Sequence, residues 1–570
     1  MANVRDVQAG QIKAKGPVIG VFATCDPRVD QASRTRSQNI VKRTAGLLGG
    51  KILLPDGSSV ETVYSSLLVD GESQADKVAA AFKESGVNIL VCVPDTWAFP
   101  QLSLISLLAH FSSDTPLNLT CGNSGPKPGV VFTHAAAGAV SQSGRLVHIN
   151  VGSWPDRGDD PEMTPATADE LIHWAYAASA YQGLKGRRVV LFGHDSMGME
   201  TALAHILPTR KHFGLEITRL DMKLLADMLT KKAYNEKELE ELYKWITSFR
   251  KDALETRGTE DTGRFRTSLA MYLVVRDLMK DLNAVGGGFM SQLEWGSDKR
   301  GIPLPVADAM ESLFNSTFDH RGHKAPLPYA TEADAQGLLT QLFFTWLSGG
   351  QPPLFMDFRK VWEPWEINKL ADNLKVKKSG DELWSRKGLV DGDNSGSAAF
   401  DWAARPGASV EEIMKGVRFP LADEGYFPGM GNSVFFVSPG GIKGIAGRLA
   451  YSELNGMFSL LWDEAETVDL PETLSNAVLN TSTPTWPHTY VVPKYASMIE
   501  YKQFAPANHF HMTWNLPVKR VQYWMDLANV LSLTPWQARP GFVEGTDRSQ
   551  PLLHLLNGGE TAAKLLRAGR

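Results

Sequence analysis

Apolar positions along this chain switch between two periods, and the switching predicts where strands and helices lie. Val18, Ile19, Gly20, Val21 and Phe22 form a short run of strand type, and a helical pattern follows from about 31 to 48 after the loop ATCDPRVD. A polar helix near 74–85 leads into a second apolar run at 87–93, which ends in Pro94, Asp95, Thr96 and Trp97. This strand–helix alternation predicts an α/β domain. Ligands of such a domain belong in the loops at the carboxyl ends of its strands, where Arg28 and Trp97 both fall. Arg28 also reads as one of several solvated basic residues with Arg34 and Arg36, and Trp97 as cover for apolar surface.

A helix predicted at about 168–181 ends at Gly183, and a new alternation starts with the strand 188–192, so a domain boundary is expected near Gly186. A second strand is expected at 216–220, one helix later. The loop between them, with Gly193, Ser196 and Gly198, has the spacing G-x-x-S-x-G and matches a nucleophile elbow poorly. The charged stretch 231–251 predicts a solvated helix with salt-bridge spacing. A further helix is expected at about 265–282, and the glycines at 286–288 introduce the run that begins at Phe289. Those glycines are too generic to mean phosphate binding.

The stretch 329–359 organises the chain. Leu338, Leu339, Leu342, Phe343, Trp346 and Leu347 recur at helical spacing, predicting a buried amphipathic helix started by Thr331 and stopped by Gly349, Gly350, Pro352 and Pro353. Glu332 opens this stretch, and Asp357 lies in the strand-type run Leu354-Phe355-Met356-Asp357-Phe358. An isolated ionised carboxylate is expensive to bury, so Asp357 needs a partner. A hard divalent cation would satisfy both acids. The macrodipole alone also favours Glu332 in a first helical turn, and Asp357 beside Arg359 equally suits an ordinary ion pair.

From Pro353 onward short apolar runs bounded by Gly, Pro, Asn and Ser predict a mainly β domain. Within it Ala507, Asn508 and His509 precede His511, and an extended segment puts both imidazoles on one face. Imidazole suits transition metals, so His509 could complete a site with Glu332 and Asp357.

Composition narrows the function. At 570 residues the chain is long enough for two to four domains. A formal charge of -5 and a pI near 6.3 argue against nucleic-acid and membrane partners and for a small molecule. The three cysteines, Cys25, Cys92 and Cys121, have no close spacing and suit a reducing cytosol. The N-terminus lacks a signal-peptide core, and no stretch approaches the ~20 apolar residues of a membrane span, so a soluble cytoplasmic protein is expected. No repeat or low-complexity tract is present.

Seven blocks then fall in order: SMGM at 196–199, NSTFD at 315–319, ATEAD at 330–334, DFRKVW at 357–362, NSGSAAFD at 394–401, TWPHTY at 485–490 and ANH at 507–509. Through them the chain resembles the L-fucose isomerases, which also act on D-arabinose, from about Val18 to Pro535, with a divergent tail. The resemblance implies an α/β fold with two Rossmann-like domains, 1–185 and 186–352, and a β-rich C-terminal domain, 353–570. It implies a hexamer with active sites between subunits. It places metal ligands on Glu332, Asp357 and His509, holding Mn2+ with Mg2+ or Co2+ as substitutes, and makes Glu332 and Asp357 the proton-transfer groups. Trp97 matches an aromatic lent by a neighbouring subunit, and Arg28, Met197, Gln292, Ser395 and Asn508 fall at or beside sugar-lining positions.

The chain departs from the family pattern at Phe22, where an arginine is usual, and at Asn432, where a tyrosine is usual. Both departures touch sugar contacts and leave the metal ligands alone. No nicotinamide is expected, because the loop after the first strand has no G-x-G-x-x-G. The implied activity is aldose–ketose isomerisation. The other readings are a non-catalytic sugar-binding protein on the same fold and, weakest, a hydrolase using Ser196.

Overall fold

The computed structural model describes residues 16–152, 154, 161–194, 198–291, 304–393, 398–453, 456–504 and 507–533. The chain divides into two compact units, one ending at Arg187, the other running from Arg188 and also taking in Leu53–Ser58. The divergent tail from Trp536 lies outside the described residues.

In the first unit five strands, β1 (Val18–Phe22), β2 (Glu61–Tyr64), β3 (Ile89–Cys92), β4 (Leu117–Cys121) and β5 (His148–Val151), form a parallel sheet in the order β2-β1-β3-β4-β5. Helices Gln31–Gly49, Glu72–Glu84, Gly129–Gln142 and Pro165–Gly183 alternate with the strands. The Asp30 carboxylate caps the first of them by accepting the Ser33 N–H at 2.8 Å. Phe22 is fully buried against the edge of Phe82, with ring centroids 6.2 Å apart. The sheet order reverses between β1 and β3, where doubly wound folds place their ligands. All three cysteines are free and buried.

The second unit opens with β6 (Arg188–Phe192), β7 (Glu216–Leu220) and β8 (Ala284–Phe289). A short hairpin of β9 (Phe318–Asp319) and β10 (Gly322–His323) follows, then β11 (Tyr329–Ala330). β6, β7, β8 and β11 make a parallel sheet in the order β11-β8-β6-β7. Glycines 286–288 therefore lie inside a strand instead of introducing one. The charged stretch folds as the shorter helix Glu236–Thr247, because Asn235 caps it by accepting the N–H groups of Lys237 and Glu238. That helix buries Leu239, Leu242 and Ile246 and pairs Lys244 with Glu240 on its surface.

Seven more strands build the β-rich region: β12 (Leu354–Trp362), β13 (Leu389–Asp393), β14 (Lys443–Ser452), β15 (Met457–Thr467), β16 (His488–Pro493), β17 (His509–Trp514) and β18 (Leu531–Leu533). Their order is β14-β17-β12-β13-β16-β15-β18, and β14 also pairs with β15. Six of them thus close into an antiparallel ring, with β18 added in parallel to β15. Closure removes the exposed edges that an open sheet would present. Helix Ala335–Leu347 packs on this region with all 13 residues buried, and its polar residues Gln336 and Thr340 accept backbone N–H groups of β14. No helix among the described residues is long and apolar enough to cross a membrane.

One expectation changes here. The buried helix begins at Ala335, not at Thr331, and Asp334 caps it by accepting the Gly337 N–H at 2.9 Å. Glu332 therefore stands in the turn before the helix, and the macrodipole of a first turn does not explain it.

Candidate active site

Glu332 owes its position to an unusual backbone. It adopts φ 62°, ψ 21°, and Ala333 follows with φ 53°, a left-handed conformation that costs side-chain-bearing residues roughly 1–2 kcal/mol each. Several contacts hold it. The Ser291 hydroxyl accepts the Glu332 N–H at 3.0 Å. Just upstream, the Asn315 side chain donates to the Tyr329 carbonyl at 2.8 Å and accepts the Tyr329 N–H at 2.9 Å. A Cβ on Gly288 would meet the Ala330 carbonyl oxygen at 2.7 Å, so only glycine lets β8 run this close to the turn. The NSTFD block also ties to NSGSAAFD, since the Thr317 N–H donates to the Asp401 carboxylate at 3.0 Å.

Asp357 and His509 come from neighbouring antiparallel strands and are direct partners in the β12–β17 register. His509 Nε2 lies 3.1 Å from Glu332 Oε2 and 3.3 Å from Asp357 Oδ1, while Nδ1 lies 2.7 Å from Asp334 Oδ2. His509 and Glu332 are buried, and the Asp357 side chain keeps 20% of its surface exposed, the open edge of the group. The Asn508 amide donates to Asp357 Oδ1 at 3.2 Å and approaches the Met199 sulfur at 3.5 Å. Arg359 reaches Asp393, with Nε 3.6 Å from Oδ2, and its charge also acts on Asp357.

The charges act strongly on one another. Burial favours a neutral His509 ring, yet Asp357, Asp334 and Glu332 around it push its pKa up to about 10. Burial raises the Asp357 carboxyl, with His509 pulling the other way and Glu332 adding to the rise. Burial alone would also raise Asp334, but the Arg448 charge and the bond from His509 hold it far below the carboxylate range. His511, on the same strand face, is pushed well below its ordinary value by burial and by Arg448.

These side chains fit a divalent cation by donor type: one imidazole nitrogen and two carboxylates are the mixed oxygen and nitrogen set that Mn2+ and its neighbours accept. Glu332 Oε2 and His509 Nε2 are both buried, lie 3.1 Å apart and have no hydrogen-bond partner among the described residues outside this group of three side chains, as two ligand atoms suited to a shared cation would. Among the described residues no three His, Cys, Asp or Glu side chains are already spread as a metal cage. Here the imidazole and the carboxylates draw together through their charge.

The other residues singled out from sequence fall in several places. Arg28, 71% exposed, forks onto Asp26 through Nε and a terminal nitrogen at 2.9 and 2.7 Å and lies 5.3 Å over the Phe99 ring. Trp97 sets its ring edge-on to Phe132 at 6.2 Å. Both sit in the loops after β1 and β3, at the reversal in the first unit's sheet. Arg34 and Arg36 are paired with Asp70 and Asp95, each at 2.9 Å. Asn432 is fully buried, and its amide donates to the carbonyls of Glu255 and Phe419 at 2.8 and 2.9 Å, leaving its own oxygen for any further partner. Met197, Gln292 and Ser395, and also Ser196, lie outside the described residues.

Three residues of the site escaped the sequence reading: Ser291, Asp334 and Arg448. Two of them carried a signal. An Asp immediately before the apolar periodicity is a cap signature, stronger than the Thr three residues earlier. Arg448 is the one charged residue inside the otherwise apolar and small-residue run 444–450 of β14, and a buried arginine implies a buried acid.

Comparison with known proteins gives the family of the chain. The family model for the first N-terminal domain of L-fucose isomerase matches residues 16–186, and that for the second matches 188–349, together more than half of the chain. An L-fucose isomerase from Haemophilus influenzae is 25% identical over 519 residues, covering 84% of each chain. One from Streptococcus pneumoniae serotype 4 is 25% identical over 546 residues, 87% of this chain and 90% of its own. One from Salmonella typhi is 25% identical over 520 residues, 84% and 85% of the two chains. The chain belongs to the L-fucose isomerase family.

Proposed function

We propose that this protein is a metal-dependent aldose–ketose isomerase acting on L-fucose, D-arabinose or a related aldose. The observation that carries the reading is the meeting of Glu332, Asp357 and His509, from three separate segments, in a chain of this family. These three residues would hold the cation, Mn2+ or in its place Mg2+ or Co2+. When bound, it supplies Lewis-acid stabilisation to the negative charge that develops on O1 and O2 of the open-chain sugar, worth several kcal/mol.

The chain's own groups account for the rest. Isomerisation removes a proton from C2 and returns one to C1 through an enediol, with no net redox change, so no nicotinamide is required. Glu332 and Asp357 are the carboxylates placed to move those protons, a contribution of roughly 10^2 to 10^4-fold. Asp357 presents its exposed edge toward solvent, the side from which a sugar arrives, and Asn508 steadies one of its oxygens. Arg28, Trp97, Met197, Gln292, Ser395 and Asn508 are proposed sugar contacts, with Asn432 acting through the loop it anchors. In this reading the protein is cytoplasmic and hexameric, with active sites between subunits.

The test is ketose formation from aldopentoses and 6-deoxyhexoses by chelator-stripped protein, with and without Mn2+, beside Glu332→Gln. Metal-dependent turnover lost in the variant is expected. Sugar binding without turnover by metal-loaded protein would overturn the reading in favour of a binding protein.

A further inference from the structure

His509 faces the two carboxylates through Nε2 only because its other nitrogen is held. Nδ1 donates to Asp334 Oδ2 at 2.7 Å, and the same oxygen receives one terminal nitrogen of Arg448. The second terminal nitrogen of Arg448 donates to Asp334 Oδ1 at 2.9 Å, so the guanidinium grips the carboxylate with both arms. That second nitrogen also donates to the Thr201 carbonyl at 2.7 Å, fixing the guanidinium plane. Arg448 and Asp334 have 1% and 0% of their side chains exposed.

Two further features belong to this arrangement. Asp334 Oδ1 also accepts the Gly337 N–H at 2.9 Å, which ties the carboxylate to the first turn of the buried helix. A Cβ on Gly337 would lie 2.4 Å from Asp334 Oδ2 and 2.7 Å from a terminal nitrogen of Arg448. Glycine in a helix is unfavourable relative to alanine, and here the missing methyl is the space the carboxylate and guanidinium occupy. The neighbouring imidazole, His511, lies 3.3 Å from Arg448 and does not compete for Asp334.

We propose that Asp334, clamped by Arg448 in the room left by Gly337, is a positioning residue that orients the His509 ring and keeps its Nε2 directed at Glu332 and Asp357. A carboxylate behind a ligating histidine fixes ring rotation and tautomer and raises ligand basicity. Asp334 acts in this proposal only through His509, its side-chain bonds going to His509, Arg448 and the Gly337 N–H. The proposal rests on the reading of His509 as a metal ligand, and its test separates the two.

Chelator-stripped full-length protein is titrated with Co2+, whose visible absorption reports ligand geometry, in wild type, Asp334→Asn and Gly337→Ala. Asparagine preserves the helix cap, and Gly337→Ala displaces the clamp without removing a charge. The expected result is roughly 10- to 100-fold weaker Co2+ binding by Asp334→Asn, with an altered spectrum of the bound ion in both variants. Wild-type affinity and spectrum in a folded Asp334→Asn protein would overturn the proposal.

If wild type itself binds no cation, the metal reading fails, and the orientation of His509 is judged without metal. A far-downfield proton resonance from an imidazole N–H bound to a carboxylate is then expected in wild type and lost in both His509→Gln and Asp334→Asn. Its absence from wild type, or its persistence unshifted in Asp334→Asn, overturns the proposal as well.

Discussion

Asp357 on β12 stands directly opposite His509 on β17, and this register pair sets a carboxylate oxygen 3.3 Å from the imidazole Nε2. Cross-strand partners in an antiparallel sheet point to the same face, so the ring-closed sheet brings the two together with no help from a loop. Glu332 is then delivered to the same imidazole from a different element, by a left-handed turn that β8 and Ser291 hold in place.

From this pairing a trade between stability and function is expected at Asp357. Burial raises its pKa, so its ionised form is unfavourable in the metal-free fold. Asp357→Asn should leave the thermal midpoint of stripped protein unchanged or higher. Mn2+ at 100 times its dissociation constant should stabilise wild type by about 2.7 kcal/mol and the variant by almost nothing, while turnover falls roughly 10^2 to 10^4-fold. Thermal melts with and without Mn2+, beside initial rates, check all three.

Gly288→Ala tests the turn. The new methyl would press on the Ala330 carbonyl oxygen at 2.7 Å, a backbone atom that cannot swing aside. Overpacking of this kind costs about 1–3 kcal/mol, and the strain falls on the segment that carries Glu332. The variant is expected to lose both unfolding free energy, by urea titration, and Mn2+ affinity. A change at Gly57, where a Cβ meets nothing within 4 Å but φ is 80°, should cost stability alone.

These residues show why the sequence revealed some of the site and concealed the rest. Glu332, Asp357 and His509 were singled out because Asp357 is an acid inside an apolar run, Glu332 opens the apolar stretch before it, and the ordered blocks around all three resemble one family. The strands β1, β6 and β7 were legible for the simpler reason that short apolar runs bounded by loops have few alternatives. The left-handed turn was not legible: Thr331, Glu332 and Ala333 read as the start of a helix, and only packing against Gly288 and Ser291 overrides that local preference. The glycines at 286–288 were misplaced for the same reason, since close backbone approach is a tertiary fact that a run of glycines permits without announcing. Arg448 and Asp334 lie more than a hundred residues apart, so their pairing is visible only once β14 and the buried helix are packed.

Asn432 separates two roles that sequence could not. Its amide donates to the carbonyls of Glu255 and Phe419; the Phe419 carbonyl also accepts the Glu255 N–H at 3.0 Å, so losing the amide costs mainly the part-buried bond to the Glu255 carbonyl, about 1 kcal/mol. Asn432→Ala is expected to lower the thermal midpoint by about 1–2 °C with the KM for sugar changed less than about threefold, roughly 0.7 kcal/mol. A tenfold rise in KM at an unchanged melting temperature would instead mark Asn432 as a direct sugar contact.

Asp308 gives the fold a pH dependence unrelated to the site. It begins helix Asp308–Asn315 with 2% exposure, and burial pushes its carboxyl from 3.8 up to about 7 although the Ser433 hydroxyl and the Val434 N–H pull it down. Between those two values the folded chain holds a proton that the unfolded chain has released, so stability falls as pH rises through the window and levels off above it. At about 1.4 kcal/mol per pH unit, wild type should lose as much as about 3 kcal/mol from this residue between pH 5 and pH 8. Asp308→Asn carries no charge at either pH and should lack that share of the loss. Urea unfolding of both proteins at pH 5 and pH 8 measures the difference directly: a smaller drop in the variant supports a buried neutral Asp308, and equal drops would show that its carboxyl is already ionised in the folded chain at pH 5.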